Sequence, residues 1–505
     1  MRADKGRLLR ISLCILCFAV IVVGTQKYGP GVTHDSVAYI YTADHFARGE
    51  GMPYFGYTSP FVQWPPLFAA LLAPFGQEGA VEASRWFNAL FMALALFITG
   101  ETLQRKLKHG VVSVVFTGMA LLSFPLVKMA FFVWSEPLFL LLTAGVFHLL
   151  FTTDWKRGRF APIFWMAVLS ALACLTRYVG VVPVASVCIF LLLALPGWKK
   201  KWGYTFLYGL ISVVPTLVFL VRNVILSDTL VGMRSPSGIS MLTNTWRALK
   251  TVLAWLIPPV MGKEGLLALV PALVFMGLMA VLFIGAVKEK DRFSRVLFMA
   301  SYGIFYSLYM IVSASRVAFD PIGDRYMIPV LLPLFFLLAE LLDWALSYAE
   351  TNKTLVSKAG LGLFALLLAG SLISNASLFL SSIRDSIEKG AGGFNADSWK
   401  EHEFLSYAGL FADSDMIYSN NPAAVQYLTG RESHYTPKKF GIPLYGYDAF
   451  YKESLGYEHQ YIIWFGSEAS TTVYTPSELS DSFKIEELAK GNSVVLYRMD
   501  KETLP

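Results

Sequence analysis

The sequence predicts a polytopic α-helical membrane protein, with about eleven transmembrane helices and a small C-terminal α/β domain outside the membrane. Of the 505 residues, 55% are hydrophobic and only 15% are charged, against roughly 25% charged in an ordinary soluble domain. Residues 1–380 carry 31 basic and 18 acidic side chains, whereas residues 381–505 carry 11 and 18. The composition excludes a soluble protein, and the charge difference divides the chain into a membrane part, 1–380, and an external part, 381–505.

Eleven apolar runs account for the predicted membrane part. A helix needs about 20 apolar residues to cross the hydrocarbon core, and runs of suitable length recur up to residue 380. The basic segment before the first run also fits a signal peptide, but residues 22–26 offer no small-residue cleavage site, so we expect an uncleaved first helix. The runs lie near residues 8–26, 81–103, 110–129, 136–153, 160–176, 179–196, 203–225, 264–286, 296–315, 326–348 and 359–380.

The segments between the runs alternate in charge. Nineteen Lys or Arg residues fall at the N-terminus and in every second loop, and such loops face the cytoplasm. This bias predicts a cytoplasmic N-terminus and, with an odd number of spans, an extracytoplasmic C-terminal domain. Because the positive charge follows the loops, the net charge of +6 does not indicate a nucleic-acid partner. The four cysteines lie in apolar runs, and the lack of disulfide signals fits a bacterial inner membrane better than the endoplasmic reticulum.

The first predicted outer loop, residues 27–80, is the most unusual segment. Apolar residues at 37, 40, 43, 46 and 47 have helical spacing, which predicts a helix too short to span the bilayer that lies along its surface. Asp35 and Ser36 stand just ahead of it and are expected to cap it. A cap is one interpretation of Asp35, and a catalytic carboxylate is the other.

Beyond residue 380 the pattern changes to short periods and turn residues, which predicts a small α/β domain. An amphipathic helix is expected over residues 396–411, and a Lys-Gly-Asn turn predicts a β-hairpin near the C-terminus. The other predicted elements are a strand at 416–419, a helix at 422–428 closed by Gly430, a strand at 461–465, and hairpin strands at 484–488 and 493–498.

Nucleotide hydrolysis, dinucleotide binding and zinc proteolysis have no support, since the chain contains no GxxxxGK[ST], GxGxxG or HExxH motif. Polar motifs instead follow one another on the predicted outer side. They are Asp35-Ser-x-x-Tyr39, Arg48-Gly49, Trp64-Pro-Pro-Leu67, Ala83-Ser-Arg85-Trp-Phe-Asn88, Trp134-Ser-Glu136-Pro137, Thr176-Arg177-Tyr178, Arg222-Asn223 and Asp324-Arg325-Tyr326-x-x-Pro329.

In this order, the motifs resemble the integral-membrane glycosyltransferases of the GT-C superfamily, in the branch that includes protein O-mannosyltransferases and bacterial aminoarabinose transferases. The resemblance covers residues 30–340, and the tail fits members with a C-terminal domain. It implies transfer of a sugar from a polyprenyl monophosphate in the membrane lipid to a hydroxyl acceptor on the outer face. The acceptor is a protein, a lipid or a glycan, and the sequence does not say which.

Asp35 matches the family's catalytic aspartate. A carboxylate that takes the proton of a neutral hydroxyl contributes roughly 10²- to 10⁴-fold to the rate. Direct displacement with one such base implies inversion at the anomeric carbon, by analogy with single-displacement glycoside chemistry.

The departing phosphate gains charge, so the resemblance also implies fixed cations near the outer interface. Arginine suits this role because its planar fork donates two parallel hydrogen bonds to phosphate oxygens. An arginine at a helix end that only reaches for lipid phosphate or water is the competing explanation for each. The candidate phosphate-binding residues are Arg177, Arg222, Arg234, Arg316 and Arg325.

Glu136 matches an acidic family position at the start of the fourth run. It is expected to orient the acceptor or the sugar, or to join Asp35 and His34 around a divalent metal ion; a carboxylate that complements the helix dipole is the simpler reading. A divalent metal ion is the one cofactor that these residues suggest. The further candidates for contact with substrate are His34, Tyr39, Trp64 and Trp134, the two tryptophans as platforms for a sugar ring.

Two other functions compete with transfer. A transporter or flippase for a lipid-linked or anionic solute would favour charged or helix-breaking residues at mid-membrane depth in paired halves, whereas the polar residues here concentrate at one face and no repeat is visible. A non-catalytic scaffold would leave Asp35 and the outer arginines unexplained.

Overall fold

The computed structural model describes residues 2–56, 59–232, 234–256, 266–318, 320–439, 446–467, 470 and 472–501. A bundle of long helices is followed by a domain built on a β-sheet. The helices are α1 Arg2–Gly24, α2 His34–Ala47, α3 Leu67–Leu72, α4 Gly76–Lys106, α5 Gly110–Leu122, α6 Phe124–Lys128, α7 Glu136–Thr152, α8 Phe160–Thr176, α9 Val181–Ala194, α10 Trp198–Ser227, α11 Met241–Leu256, α12 Leu266–Val287, α13 Lys290–Arg316, α14 Asp324–Met327, α15 Leu331–Asn352, α16 Leu355–Lys389, α17 Asp397–Lys400, α18 Pro422–Thr429, α19 Tyr447–Ser454 and α20 Pro476–Leu479. The strands are β1 Pro53–Tyr54, β2 Ser59–Pro60, β3 Met416–Ser419, β4 Ser433–Tyr435, β5 Gln460–Phe465, β6 Phe483–Lys490 and β7 Val494–Lys501.

Each predicted apolar run coincides with a helix, although residues 264 and 265 of the eighth run lie outside the described residues. Among the described residues, six helices are long and apolar enough to cross a membrane, and a pair bent by 59° at Ser123 adds a seventh. Four apolar helices are shorter, and α7 and α8, with 17 residues each, are roughly 26 Å long at 1.5 Å per residue. The chain is a multi-pass integral membrane protein, and the count of eleven spans stays a prediction.

Helix α15 forms the centre of the bundle. In the segment Asp324–Asn352, 89% of the most apolar window is buried, against 17% in the segment Ser357–Lys389. Helix α15 packs against α5, α12, α13 and α16, and every residue from Leu331 to Leu341 is buried. A helix that is apolar on all sides is stable only when protein or lipid surrounds it. Helix α15 is surrounded by protein, and the low burial of α16 fits a helix that faces lipid.

A buried ion cluster ties α13, α15 and the start of α5 together at the end of the bundle that is predicted to be cytoplasmic. Arg292 contacts Glu340 Oε2 at 3.2 Å and Asp343 Oδ2 at 2.8 Å, and both carboxylates are fully buried. Arg295 also contacts Glu340, at 2.5 Å, and the backbone N–H of His109 donates to Asp343 at 2.8 Å. In the sequence these arginines indicate only the orientation of the loops, so the cluster was not predicted.

We expect Arg292→Ala to lower the thermal unfolding temperature of the detergent-solubilised protein. Removal of one member of a buried charge pair typically costs about 3 to 5 kcal/mol, because the remaining charge is left uncompensated. The matched control is Lys290→Ala, since Lys290 begins the same helix and is exposed. Equal unfolding temperatures for the two variants would contradict the structural role of the cluster.

The C-terminal domain contains a five-stranded mixed sheet with the strand order β4-β3-β5-β7-β6. Strand β3 is parallel to β4 and β5, while β7 is antiparallel to β5 and β6. Alternate residues face opposite sides of a strand, and both sides are covered. One core contains Ile417, Ile463 and Leu496, and the other contains Met416, Tyr418, Ile462 and Trp464. The predicted strands, the hairpin and the helix closed by Gly430 are confirmed.

The predicted amphipathic helix over residues 396–411 is wrong. The chain forms only α17 there, followed by a 3₁₀ helix over Glu403–Leu410. His402 leaves helical geometry, and its Nδ1 accepts the N–H of Phe404 at 3.2 Å. The carboxylate of Glu403 accepts the N–H of Ser493 at 2.7 Å in the β6–β7 turn. The local hydrogen bond of His402 and the contact of Glu403 with the sheet replace the contacts of a continuous helix.

The expected cap of α2 is wrong for Asp35, whereas Ser36 takes part in the cap from inside the helix. The residue before the helix is Thr33, and the hydroxyl of Ser36, inside the first turn, accepts the N–H of Thr33 at 3.0 Å. Asp35 is therefore the second residue of the helix, and its side chain does not cap it. The predicted helix itself is confirmed. The boundary predicted at residue 380 falls within α16, which continues to Lys389.

Candidate active site

Three extended segments meet immediately before α2. Gly31 forms a parallel bridge with Phe132, and Val32 forms one with Gly393 at the start of the C-terminal domain. The N–H of Gly31 donates to the carbonyl of Phe131 at 2.7 Å, and the N–H of Phe394 donates to that of Val32 at 2.7 Å. Because paired parallel segments continue in the same direction, α2 and α7 begin side by side, which brings their first turns together.

Gly393 makes this close packing possible. Its φ is +57°, and a Cβ at this position would lie 2.1 Å from the carbonyl oxygen of Val32. Only glycine adopts such a conformation without strain and leaves room for the neighbouring backbone. The C-terminal domain is therefore joined to the segment that carries the first turn of α2.

A continuous chain of ion pairs crosses the site. Asp35 Oδ2 lies 2.7 Å from Arg325 Nη1, Arg325 Nε lies 2.7 Å from Glu136 Oε1, and Glu136 Oε1 lies 2.6 Å from Arg177 Nη1. The order Asp35, Arg325, Glu136, Arg177 joins α2, α14, α7 and the end of α8. Four residues from separate sequence motifs thus form one constellation, with two carboxylates and two guanidinium groups.

The two carboxylates differ in their surroundings. The Asp35 side chain is 24% exposed, whereas that of Glu136 is completely buried. Burial raises the pKa of Asp35, but the combined effect of Arg325, His34 and Arg177 lowers it more, so its pKa lies below the usual value. Asp35 is therefore an ionised, accessible carboxylate. Glu136 uses one oxygen for both arginines, and among the described residues its Oε2 has no hydrogen-bond partner.

Ser135 and Trp134 hold the arginines in place. The hydroxyl of Ser135 accepts a hydrogen bond from Arg177 Nη1 at 3.3 Å and lies 3.3 Å from the hydroxyl of Tyr39. The guanidinium of Arg325 lies 4.2 Å above the ring of Trp134, a favourable cation–π arrangement. Tyr39 is fully buried, so it supports the site from the protein interior. Ser135 was not predicted as a site residue, although its place beside Glu136 in the sequence was a signal.

Trp64 belongs to an aromatic wall next to this constellation. Its ring stacks on Tyr54 with a centroid separation of 6.0 Å and lies 5.9 Å from the ring of Tyr39. Phe61 and Phe68 complete the wall around Tyr39. Trp64 is partly exposed, whereas Trp134 is buried and also stacks on Phe132. Trp64 is therefore the more accessible of the two predicted sugar platforms.

The other predicted arginines do not join the chain of ion pairs. Arg222 donates to the carbonyl of Phe61 at 3.0 Å, and Arg234 donates to that of Gln63 at 3.1 Å. Both therefore hold the loop that carries Trp64. Arg316 is exposed at the end of α13, where its carbonyl accepts the N–H of Ser237 at 3.1 Å. The structure thus separates the five predicted phosphate ligands into a central pair, a loop-holding pair and a peripheral residue.

His34 lies beside Asp35 but faces the C-terminal domain. Its Nε2 forms a hydrogen bond with the hydroxyl of Tyr435, and its ring contacts Phe55 edge-on with a centroid distance of 4.8 Å. Burial lowers the pKa of His34. In the described part of the chain, no group of three or more His, Cys, Asp or Glu side chains is arranged to hold a metal ion. Arg325 instead occupies the space between Asp35 and Glu136.

Comparison with solved structures decides the fold. ArnT from Cupriavidus metallidurans in the apo state superposes with a TM-score of 0.62 over 99% of this chain and 98% of that chain, at 14% sequence identity. The chain has the GT-C fold. ArnT bound to undecaprenyl phosphate gives a TM-score of 0.59, at 14% identity over 97% of each chain.

A solved structure that superposes less closely has the same fold. An oligosaccharyltransferase from Archaeoglobus fulgidus, tethered to an acceptor peptide, gives a TM-score of 0.52 at 12% identity over 90% of this chain and 69% of that chain. No protein-family model matches the sequence, and no curated protein matches it significantly. The GT-C fold is therefore shared with proteins whose sequences have diverged almost completely from this one.

Proposed function

We propose that the protein transfers a sugar from a polyprenyl monophosphate donor to a hydroxyl acceptor on the extracytoplasmic face of the membrane. The observation that carries the proposal is the chain of ion pairs from Asp35 to Arg177 on a GT-C fold. It combines an accessible carboxylate with two arginines at the end of a membrane-spanning bundle. The complex of ArnT with undecaprenyl phosphate supports a lipid-linked phosphate as the donor class.

Asp35 acts as the general base in the proposed reaction. Its ionised carboxylate accepts the proton of the acceptor hydroxyl as the oxygen attacks the anomeric carbon. The bond from that carbon to the phosphate oxygen breaks, and its electron pair remains on the released polyprenyl phosphate. One displacement by one nucleophile inverts the anomeric configuration.

Arg325 and Arg177 are the proposed phosphate ligands. Arg325 uses Nε and Nη1 for the two carboxylates, so a donor phosphate would compete with Asp35 for the same guanidinium. Donor binding would then loosen the ion pair that lowers the pKa of Asp35 and make the carboxylate a stronger base. Glu136 would keep both arginines in place through Oε1. Its Oε2, which has no hydrogen-bond partner among the described residues, would accept a hydrogen bond from a hydroxyl of the sugar.

A divalent metal ion does not fit the arrangement of these residues. Arg325 joins Asp35 to Glu136, and His34 is engaged by Tyr435. A cation held by this set would have to displace the guanidinium, so we assign no step to a metal.

The proposed orientation places residues 1–380 in the membrane, with the N-terminus in the cytoplasm and residues 381–505 outside. A bacterial inner membrane is the proposed location. The positive charge of alternate loops supports this orientation, and the contact of the C-terminal domain with the Asp35 segment requires the active site to lie on the same side as that domain. Labelling of an introduced cysteine at Ser467, but not at Lys200, by an impermeant external reagent is the expected result.

The direct test is an assay with the purified protein, polyprenyl-phosphate sugars and membrane extracts. Transfer of labelled sugar to an acceptor is expected. The rival function, a transporter or flippase, predicts instead that labelled donor crosses the bilayer of reconstituted vesicles while its sugar–phosphate bond stays intact. Movement without transfer would overturn the proposal.

Arg222 and Arg234 are tested as additional phosphate ligands by the variants Arg222→Ala and Arg234→Ala. If they bind the donor phosphate, each variant should lower the rate of transfer at limiting donor by about ten- to a hundred-fold, since a charged hydrogen bond contributes about 1.5 to 3 kcal/mol. Lysine at either position should restore only part of the loss, because an ammonium cannot form the bidentate fork. The measurement is the dependence of the transfer rate on donor concentration at saturating acceptor.

The control for this pair is Arg384→Ala, since Arg384 is exposed at the end of α16 and forms its ion pair with Glu388 one turn away. An unchanged donor dependence in both Arg222→Ala and Arg234→Ala would restrict the two arginines to holding the Phe61–Gln63 loop. The phosphate would then be bound by the central pair alone.

A further inference from the structure

The side chain of Tyr435 connects the C-terminal domain with the turn that carries the proposed base. Tyr435 ends β4, and its hydroxyl forms a hydrogen bond with Nε2 of His34. His34 is the first residue of α2 and directly precedes Asp35. A residue some 400 positions away in the sequence therefore contacts the turn that carries the proposed base.

Tyr435 is fixed from several directions. Its N–H donates to the carbonyl of Gly56 at 3.3 Å, and β4 pairs with β3 in parallel register, with His434 opposite Tyr418. Gly56 has φ +75°, and a Cβ there would lie 3.2 Å from the Tyr435 ring. The ring thus lies against backbone, which leaves its hydroxyl little freedom to move away from His34.

His34 is equally constrained. Its ring contacts Phe55, and its charged neighbours are Asp35, Lys438 and Asp320. Lys438 follows β4 and lies 5.6 Å from the centroid of the Tyr435 ring. Burial keeps the imidazole neutral, so one ring nitrogen accepts and the other donates. The hydrogen bond to Tyr435 therefore fixes the ring without a need for charge.

We propose that Tyr435 is a positioning residue of the transfer site, which holds His34 and through it the first turn of α2 that carries Asp35. The proposal rests on the proposed function, in which Asp35 must meet the acceptor hydroxyl. Small displacements of a reacting group lower rates strongly, so a contact that immobilises the neighbour of the base influences turnover. The C-terminal domain would accordingly be part of the catalytic unit, since it completes the support of the base.

The test compares Tyr435→Phe with Tyr418→Phe. Both variants lose one buried hydroxyl in adjacent strands, but among the described residues the hydroxyl of Tyr418 has no hydrogen-bond partner. We expect Tyr435→Phe to lower kcat by about two- to ten-fold, the effect of one neutral hydrogen bond, with little change in the donor KM. Tyr418→Phe should retain the original kcat. Equal kcat values for the two variants would overturn the proposal.

A double-mutant cycle separates positioning from simple domain docking. If Tyr435 acts through His34, the effects of Tyr435→Phe and His34→Ala on kcat should be clearly less than additive, because either change removes the same contact. Additive effects would show that Tyr435 contributes to folding or docking independently of His34, and would contradict the proposal.

Hydrogen exchange reports on the contact without any reaction. Amides of residues 34–47 should exchange faster in Tyr435→Phe than in the unaltered protein, and Tyr418→Phe should leave them unchanged. Unchanged exchange in Tyr435→Phe would refute the positioning role whatever the activity. Absence of transfer by the unaltered protein would instead refute the proposed function, so the two failures are distinguishable.

Discussion

An Asp35→Asn variant is expected to lose transfer activity by roughly 10²- to 10⁴-fold while it remains folded. The amide keeps the size of the carboxylate and can still accept a hydrogen bond from Arg325, but it cannot take the acceptor proton. Because Asp35 is not the cap of α2, the change leaves the start of the helix intact. The measurement is kcat with saturating donor and acceptor, together with the thermal unfolding temperature.

Asp44→Asn is the matched control. Asp44 lies in the same helix and also pairs with an arginine, Arg48, at 2.6 Å, but at the far end from the ion-pair chain. Its substitution should leave turnover close to that of the unaltered protein. Near-normal turnover by Asp35→Asn would show that another group is the base and that Asp35 serves only to hold Arg325.

An Arg325→Ala variant is expected to show the second large effect, a loss of both activity and stability. The guanidinium joins Asp35 to the fully buried Glu136, and breaking a buried ion pair typically costs about 3 to 5 kcal/mol. Arg177 remains on Glu136, so the lower end of that range is expected. Loss of a phosphate ligand should lower donor use by about ten- to a hundred-fold or more, since each charged hydrogen bond contributes about 1.5 to 3 kcal/mol.

A second variant separates the two effects. Arg325→Ala leaves two carboxylates against the one guanidinium of Arg177, whereas in Arg325→Ala/Glu136→Gln the remaining Asp35 and Arg177 balance in charge. The unfolding temperature should therefore recover part of its loss while transfer stays low. Arg325→Lys should retain a positive charge but serve only one of the two carboxylates well. Recovery of activity together with stability in the double variant would contradict the proposed role of Arg325 at the phosphate.

The sequence was sufficient to locate the helices that form the eleven apolar runs, but it did not predict α11, Met241–Leu256. Length and apolarity of a segment decide whether it forms a helix in a membrane, and these properties are local. The same holds for four of the five strands of the C-terminal domain and for the closing turn at Gly430, whereas β4 was not predicted. It failed over residues 396–411, where the local hydrogen bond of His402 with Phe404 and the contact of Glu403 with the distant backbone of Ser493 outweigh the helical periodicity.

The candidate site could be predicted only in part. Asp35, Glu136, Arg177 and Arg325 were all identified in the sequence, yet nothing there distinguished the central arginines from Arg222, Arg234 and Arg316, which share their residue type and predicted side. The distinction depends on which helix ends lie next to the start of α2. That arrangement comes from parallel pairing of residues around 31 with residues around 132 and 393.

The sequence by itself therefore determined that this protein is a multi-pass membrane protein with a C-terminal α/β domain and which side chains are available for chemistry. The tertiary structure alone decided that Arg325 lies between two carboxylates, that Ser135 supports Arg177, and that Tyr435 reaches His34. Apolarity and period act over a few neighbouring residues, whereas an ion pair or a hydrogen bond across hundreds of residues exists only after the backbone has brought its partners within about 3 Å.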